Sequence, residues 1–415
     1  MPKAIQFFRS VPRWLLVRAL AARWPAAASG ALSCIRLSDV APPPLPTPEW
    51  VRIKPRLSGI CGSDLSAIAC KGSPYFSPFI STPFVLGHEL VGNLVEIGGG
   101  VPSQWKSGMR VVIEPALNCE VRGIHPPCKP CAIGHYAHCE NILKGSIQGG
   151  IQTGYCASTG GGWSDATVVA HHSQLHAVPE NLSDELAALA EPLACATHIA
   201  LKAPRDKHST LLVLGCGTLG LLTIGAYRLS GGQGTVLASA WFEPQAEMAR
   251  DLGADDIFTG RGCENLYKWV LERTSSAKPQ LYHPELGKPI ALGGADCVLD
   301  CVASSQTLDD AMRLTRPRGM SIIAGMPGIP QGIDWTSVWY KELRVQGAYA
   351  YGWENLDGGD HVKTMQLALS YLSQKGAVLQ KLVNRRYELA DYRAALADAF
   401  DAGRSGAFKT VFELT

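Results

Sequence analysis

One stretch constrains this chain more than any other: the apolar run 211–214 passes directly into Gly215-Cys216-Gly217-Thr218-Leu219-Gly220. A short apolar strand that enters G-x-G-x-x-G and continues as a helical run predicts a turn that cradles a pyrophosphate. The first glycine permits the turn, the second lets the backbone approach the phosphates, and the third lets helix and strand pack closely. The helix N-terminus then faces the negative charge. Residues 211–229 carry no charge except Arg228 and would pass a hydropathy window for a membrane span. Glycines at 215, 217, 220 and 225 fit a buried strand, a tight turn and a packed helix better.

The surrounding pattern agrees. Beyond Ser209, strand and helix alternate, with buried strands expected at 211–214, 235–239, 297–299, 321–324 and 343–345. Near-continuous apolar strands separated by helices predict a parallel sheet covered on both faces. Residues 275–294, rich in proline and glycine, read as a surface hairpin. From about 360 the chain reads as helix, then ends in a strand at 409–412. Up to about residue 190 the texture differs: short strands, as at 50–55, 90–97 and 110–114, are broken by glycine and proline. That half predicts an antiparallel, barrel-like β domain. Prolines 42, 43, 44, 46 and 48 form an extended surface stretch. Ser183 can cap a helix whose first turn holds Asp184 and Glu185. The fold class is therefore α/β, with a β-rich domain beside a doubly wound parallel-sheet domain, and 415 residues suffice for two or three domains.

Composition removes several function classes. Hydrophobic residues at 46% and charged residues at 18% exclude a disordered chain. Thirty-eight basic against 36 acidic residues leave no basic surplus for a nucleic-acid partner. Thirteen cysteines, an odd number in a long chain, argue against a secreted disulfide framework and for a reducing, cytoplasmic setting. Residues 7–28 hold Arg9, Arg13, Arg18 and Arg23 and no acid. This composition is shared by organellar presequences and interfacial helices, but it is read here as an amphipathic insertion after the first strand. No membrane partner is expected, and no apolar core followed by a cleavage site marks a secretory signal.

Two groups of residues have metal chemistry. Cys128-x2-Cys131-x7-Cys139 supplies three soft ligands on one loop. A closed structural zinc site needs a fourth, and either His125, three residues before Cys128, or Cys119, nine before it, can provide one. The second group is dispersed: Cys61 within 59–64, His88 and Glu89 within 87–92, and Glu191 within 191–194. Together they offer sulfur, nitrogen and oxygen, which suits a catalytic zinc that keeps a coordination position open.

At these residues the sequence resembles the zinc-dependent medium-chain alcohol dehydrogenases, most of all the branch of threonine, polyol and glucose dehydrogenases. The shared marks run in order: Gly59-Ile60-Cys61-Gly62-Ser63-Asp64, Gly87-His88-Glu89, the Cys128/Cys131/Cys139 lobe, Glu191-Pro192-Leu193-Ala194, and the glycine fingerprint. Residues 296–300, 316–319 and 341–344 also look like the family, so the resemblance covers nearly the whole chain. It implies a GroES-like catalytic domain at 1–192, with a structural zinc lobe at about 119–139. It further implies a Rossmann domain at 193–347 and a C-terminal return to the catalytic domain at 348–415, with the active site in the cleft between. Cys61, His88 and a carboxylate, Glu89 or Glu191, would hold the catalytic zinc. Ser63 would take the substrate proton, and Asp64 would orient His88. A second, structural zinc, an NAD or NADP cofactor, a small alcohol or carbonyl substrate and a homo-dimer or homo-tetramer complete the expectation. Lys409 would help neutralise the pyrophosphate. Loops 75–83, 145–162 and 349–353 would wall the cleft.

Four features depart from the family or leave a choice open. His125 stands where the family places the first lobe cysteine, and Cys119 is favoured as the fourth ligand because its sulfur matches the other three. Ser66 replaces a histidine that relays the proton in many relatives. The first domain is enlarged between Arg9 and Ile35. At the end of the second Rossmann strand, Ser239 and Ala240 offer neither the acid that favours NAD nor an arginine for NADP, and Glu243 comes late. The alternative functions are a zinc-free quinone or enoyl reductase of the same superfamily, or a non-catalytic NAD(P)-binding regulator.

Overall fold

Six short, mostly apolar runs lie side by side as one parallel sheet in the unit Cys195–Ala350 of this computed structural model. From one edge the order is Asp256–Phe258, Thr235–Ser239, Thr210–Leu214, Ala295–Asp300, Thr315–Ile323 and Arg344–Gly347. Every neighbouring pair is parallel. Numbered along the chain, this is the order 3-2-1-4-5-6 of a dinucleotide-binding sheet, and its direction of winding reverses beside Thr210–Leu214. The two central strands are buried along nearly their whole length, so they read as unbroken apolar sequence rather than as an alternation. The strand Asp256–Phe258 was not anticipated, because three half-buried residues at a sheet edge carry too little pattern. The structure describes residues 1–21, 23–274, 280–356 and 358–414. Of the expected surface hairpin, Leu281–Tyr282 pairs with Ile290–Ala291, and 275–279 lies outside the described residues.

The glycine turn follows Thr210–Leu214 and opens the helix Thr218–Leu229. Gly215 has φ +91°, a conformation that glycine adopts without strain. A Cβ at Gly220 would lie 1.9 Å from the Gly215 carbonyl oxygen, so the first turn of the helix closes only over glycine.

The other unit joins Met1–Ala194 with Tyr351–Thr415. Its main sheet runs Val383–Glu388, Lys409–Glu413, Trp50–Gly59, Leu90–Ile97, Arg110–Ile113 and Leu175–Ala177, and Val168–His171 also pairs with Trp50–Gly59. The ten-residue strand Trp50–Gly59 is the hub, because it pairs with Leu90–Ile97, Val168–His171 and the closing strand Lys409–Glu413. A smaller sheet sets Lys3–Phe7 between Ile35–Asp39 and Phe84–Val85. The arginine-rich insertion folds between its first two strands as the helix Val11–Leu20. Val17, Ala21 and Cys34 of this insertion join one core with Ile60, Ile68 and Phe84, so the insertion supports the helix Gly62–Ile68. Among the described residues no helix is long and apolar enough to cross a membrane.

We expect Gly220→Ala to overpack the turn at a cost of about 1–3 kcal/mol. Thermal unfolding should register the loss, and dinucleotide affinity measured by fluorescence titration should fall with it. An unchanged melting temperature would show that the helix can shift to admit a methyl group.

Candidate active site

Sheet register brings the dispersed ligand group together. Trp50–Gly59 lies antiparallel to Leu90–Ile97, with Ser58 opposite Leu90, and the Gly59 amide donates to the Glu89 carbonyl at 2.8 Å. Residues just past the end of one strand therefore sit beside residues just before the start of the other. Cys61 caps the helix Gly62–Ile68, and the side-chain ligand atoms of Cys61, His88 and Glu89 lie within 4.8 Å of one another. His88 and Glu89 are buried.

Asp64 organises this corner. Fully buried in the first turn of the helix, it accepts the Cys61 backbone amide at 3.1 Å, and its other carboxylate oxygen lies 3.4 Å from His88 Nδ1. Burial pulls the imidazole pKa down. The Asp64 carboxylate and the Cys61 sulfur outweigh that effect, so the His88 pKa stands well above the ordinary histidine range. Ser63 projects a buried hydroxyl into this corner, beside the phenol of Tyr155.

Lys409 takes a different place from the one expected. Its ammonium is buried, donates to the Ile60 carbonyl at 3.0 Å and forms an ion pair with Glu89. Pairing of Lys409–Glu413 with Trp50–Gly59, Val411 opposite Gly59, delivers it there. It is thus committed to the carboxylate beside His88 rather than to a pyrophosphate. Burial opposes its charge, but Glu89, Cys61 and Glu191 together raise its pKa above the ordinary value. A Cβ at Gly59 would lie 2.1 Å from Glu89 Oε2 and 2.8 Å from Lys409 Cε, so the pair needs glycine at that position. Glu191, buried in the first turn of Ala190–Lys202, stands outside the three-residue ligand group while its charge still reaches Lys409.

Tyr155 was not singled out from the sequence, where a lone tyrosine in a glycine-rich loop gives no signal. Its phenol donates to Asp64 at 3.4 Å, and its ring stands 6.2 Å from that of His88.

In the cysteine lobe the sulfurs of Cys119, Cys128, Cys131 and Cys139 lie within 4.8 Å of one another, and His125 is not part of the group. Several N–H groups point at these sulfurs. Cys128 N and Asn141 Nδ2 donate to Cys119, Glu140 N to Cys128, and Asn141 N to Cys139, all at 3.3–3.4 Å. Such donors favour thiolates, the form that binds zinc. The donor set therefore fits a tetrahedral zinc.

In the other unit, Gly217 caps the helix Thr218–Leu229, and a Cβ built there meets nothing within 4 Å. That leaves space for a phosphate against the backbone. Cys216 is buried beneath the turn, while Thr218 and Leu219 open the helix. Ser239 and Ala240, at the end of Thr235–Ser239, are both buried, and Glu243 is already the first residue of the next helix.

Residues 47–180 match the alcohol dehydrogenase GroES-like domain, and residues 218–363 match the zinc-binding dehydrogenase domain. The chain belongs to the zinc-dependent medium-chain alcohol dehydrogenases. It is 26% identical to L-idonate 5-dehydrogenase of Vitis vinifera over 371 residues, 88% of each chain. It is 27% identical to sorbitol dehydrogenase of Arabidopsis thaliana over 370 residues, 88% of this chain and 89% of that one. Among solved structures, 2R,3R-butanediol dehydrogenase of Bacillus subtilis shares the fold with a TM-score of 0.69 and 23% identity over the full length of both chains. A dehydrogenase of this family interconverts an alcohol and a carbonyl with zinc and NAD(P).

Two outcomes follow from the charges at the site. Lys409→Met leaves Glu89 buried without its cation and should cost roughly 3–5 kcal/mol in denaturant unfolding of the metal-free dehydrogenase; a variant as stable as wild type would show that Glu89 takes up a proton instead. Because the raised pKa of His88 means that a metal must displace its proton, metal uptake should weaken as pH falls from 8 towards 5. Equilibrium dialysis with zinc would measure this, and equal loading across the range would contradict it.

Proposed function

We propose that this dehydrogenase oxidises a secondary hydroxyl of a polyol or sugar-like alcohol, and in reverse reduces the matching carbonyl, with NAD or NADP as its redox partner. The observation that carries the reading is the convergence of Cys61, His88 and Glu89 next to the buried hydroxyl of Ser63. The sorbitol and L-idonate dehydrogenases among its relatives support a polyhydroxylated substrate.

A zinc ion held by Cys61, His88 and Glu89, with Glu191 as the alternate carboxylate, would supply the Lewis acidity that lowers the pKa of a substrate hydroxyl. Ser63 Oγ accepts the hydroxyl proton and passes it towards water, since Ser66 is no base near neutral pH. Asp64 holds His88 through Nδ1, which leaves Nε2 as the ligand atom. Lys409 keeps Glu89 ionised and fixed. Gly215, Cys216, Gly217, Thr218, Leu219 and Gly220 would hold the pyrophosphate of a dinucleotide, and Ser239 and Ala240 would face its ribose; the bound dinucleotide would supply the hydride acceptor. Cys119, Cys128, Cys131 and Cys139 would hold a second, structural zinc.

We assign the catalytic domain to residues 1–192, the dinucleotide domain to 193–347 and the C-terminal return to 348–415. The thirteen free cysteines support a reducing, cytoplasmic setting. A homo-dimer or homo-tetramer is supported by the exposed Trp335, Trp339 and Tyr340, which precede the edge strand Arg344–Gly347.

Cys61→Ser should abolish turnover of a polyol panel, read as absorbance of the reduced nicotinamide, while dinucleotide binding persists. Turnover near the wild-type rate in that variant would overturn the zinc mechanism. A wild-type enzyme silent towards every alcohol and carbonyl with both cofactors would favour the non-catalytic alternative.

A further inference from the structure

The helix Val11–Leu20 turns its apolar side outwards. Val11, Pro12, Leu15, Leu16 and Ala19 are all exposed, Val11 at 59% and Leu15 at 57%. Their spacing makes one continuous stripe along the helix, on the side where a surface helix in water normally carries polar residues. The opposite side supplies Val17 to the core, followed by Ala21, while Trp24 just beyond the helix is 67% exposed. Charge frames the stripe. Residues 1–38 hold six basic side chains, Lys3, Arg9, Arg13, Arg18, Arg23 and Arg36, and no acid. Arg9, Arg23 and Arg36 are exposed. Arg13 donates to the carbonyls of Ala31 and Ser33, and Arg18 to that of Cys70, so both guanidiniums are fixed beside the helix. Arg13 and Arg36 also lie over the Phe8 ring, at 5.5 and 4.1 Å. Among the described residues no carboxylate forms an ion pair with any of these five arginines. The first turn of the helix carries no acid and Ser10 makes no side-chain cap, so the positive end of the helix dipole adds to their field.

We propose that the outward face of this insertion docks the dehydrogenase on the surface of an anionic lipid bilayer, with the helix lying in the plane of the interface. Leu15, Leu16 and Val11 would enter the boundary between headgroups and acyl chains, Trp24 would sit at headgroup level, and the arginines would meet lipid phosphates and carboxylates. Composition alone predicts no membrane partner; the exposed stripe revises that expectation for a surface contact and implies no span. Charge selects this occupant over a second copy of the chain, because pairing two such faces would bring their unpaired arginines together. A protein partner would need an apolar groove shaped to these side chains, whereas a bilayer accepts any apolar stripe framed by arginine. The insertion is well placed to carry load: Val17, Ala21 and Cys34 share one core with Ile68 of the helix that Cys61 caps. Docking therefore goes beyond the oxidoreductase reading and does not depend on it, since no residue of the face belongs to the candidate active site.

The test is co-sedimentation of the full-length dehydrogenase with vesicles of phosphatidylcholine, made with and without phosphatidylserine. Wild-type protein should sediment with the phosphatidylserine vesicles, stay in solution with pure phosphatidylcholine, and release as salt is raised. Leu15→Gln combined with Leu16→Gln, both on exposed positions, should weaken binding roughly tenfold or more by removing the apolar contact. Arg9→Gln and Arg23→Gln, which break no hydrogen bond or ion pair of the structure, should each weaken it roughly fivefold. Melting temperatures equal to wild type would confirm that these variants fold. No binding of wild-type protein to phosphatidylserine vesicles would overturn the proposal. Binding that ignores the leucine substitutions would also overturn it, since charge alone would then account for the attraction. Equal binding to both kinds of vesicle would remove the role given to the arginines. An oligomer in lipid-free solution that dissociates with the leucine substitutions, seen by sedimentation velocity, would assign the face to a second copy instead and refute lipid docking.

Discussion

The burial of charge around Cys61 governs the rest of the catalytic unit. Asp64, Glu89 and Glu191 are all withdrawn from water, and Lys409 is drawn in beside Glu89. An interior tolerates such an excess of acid only if further positive charge enters. His88 responds by holding its proton, and a metal ion at the Cys61, His88 and Glu89 atoms satisfies the same need with two charges. The electrostatic requirement that makes the site expensive to fold is therefore the one that makes it bind a Lewis acid. It also explains why the last strand returns to the first domain: Lys409 reaches Glu89 only through the pairing of Lys409–Glu413 with Trp50–Gly59.

The cysteine lobe has the complementary problem. There the buried charge is a cation, Arg122, held by backbone carbonyls. Cys119 and Arg122 belong to one short turn, in which the Arg122 amide donates to the Asn118 carbonyl.

Much of this was legible in the residues, and the reasons are specific. The run 211–220 declares strand, turn and helix because apolar continuity and three spaced glycines are local facts. Three lobe cysteines, Cys128, Cys131 and Cys139, announce themselves by spacing. Asp256–Phe258 stayed hidden because an edge strand of three residues has no period to read. Lys409 was visible but misassigned, since a lysine in a closing strand says nothing about which carboxylate lies across the sheet. Tyr155 and Arg122 passed unnoticed for the same reason: their partners are carbonyls and carboxylates far away in sequence.

By itself, the sequence determined the fold class, the dinucleotide turn and the kinds of atom offered to metal. These depend on period, on glycine at positions of close approach and on ligand chemistry, all of which act over a few residues. Tertiary structure decided which of the candidate ligands converge. Cys119 joins the sulfurs while His125 does not, and Glu89 joins Cys61 and His88 while Glu191 stays outside that group. Strand register and the demand that every buried charge find an opposite make those choices, and both are properties of the assembled chain rather than of any segment of it.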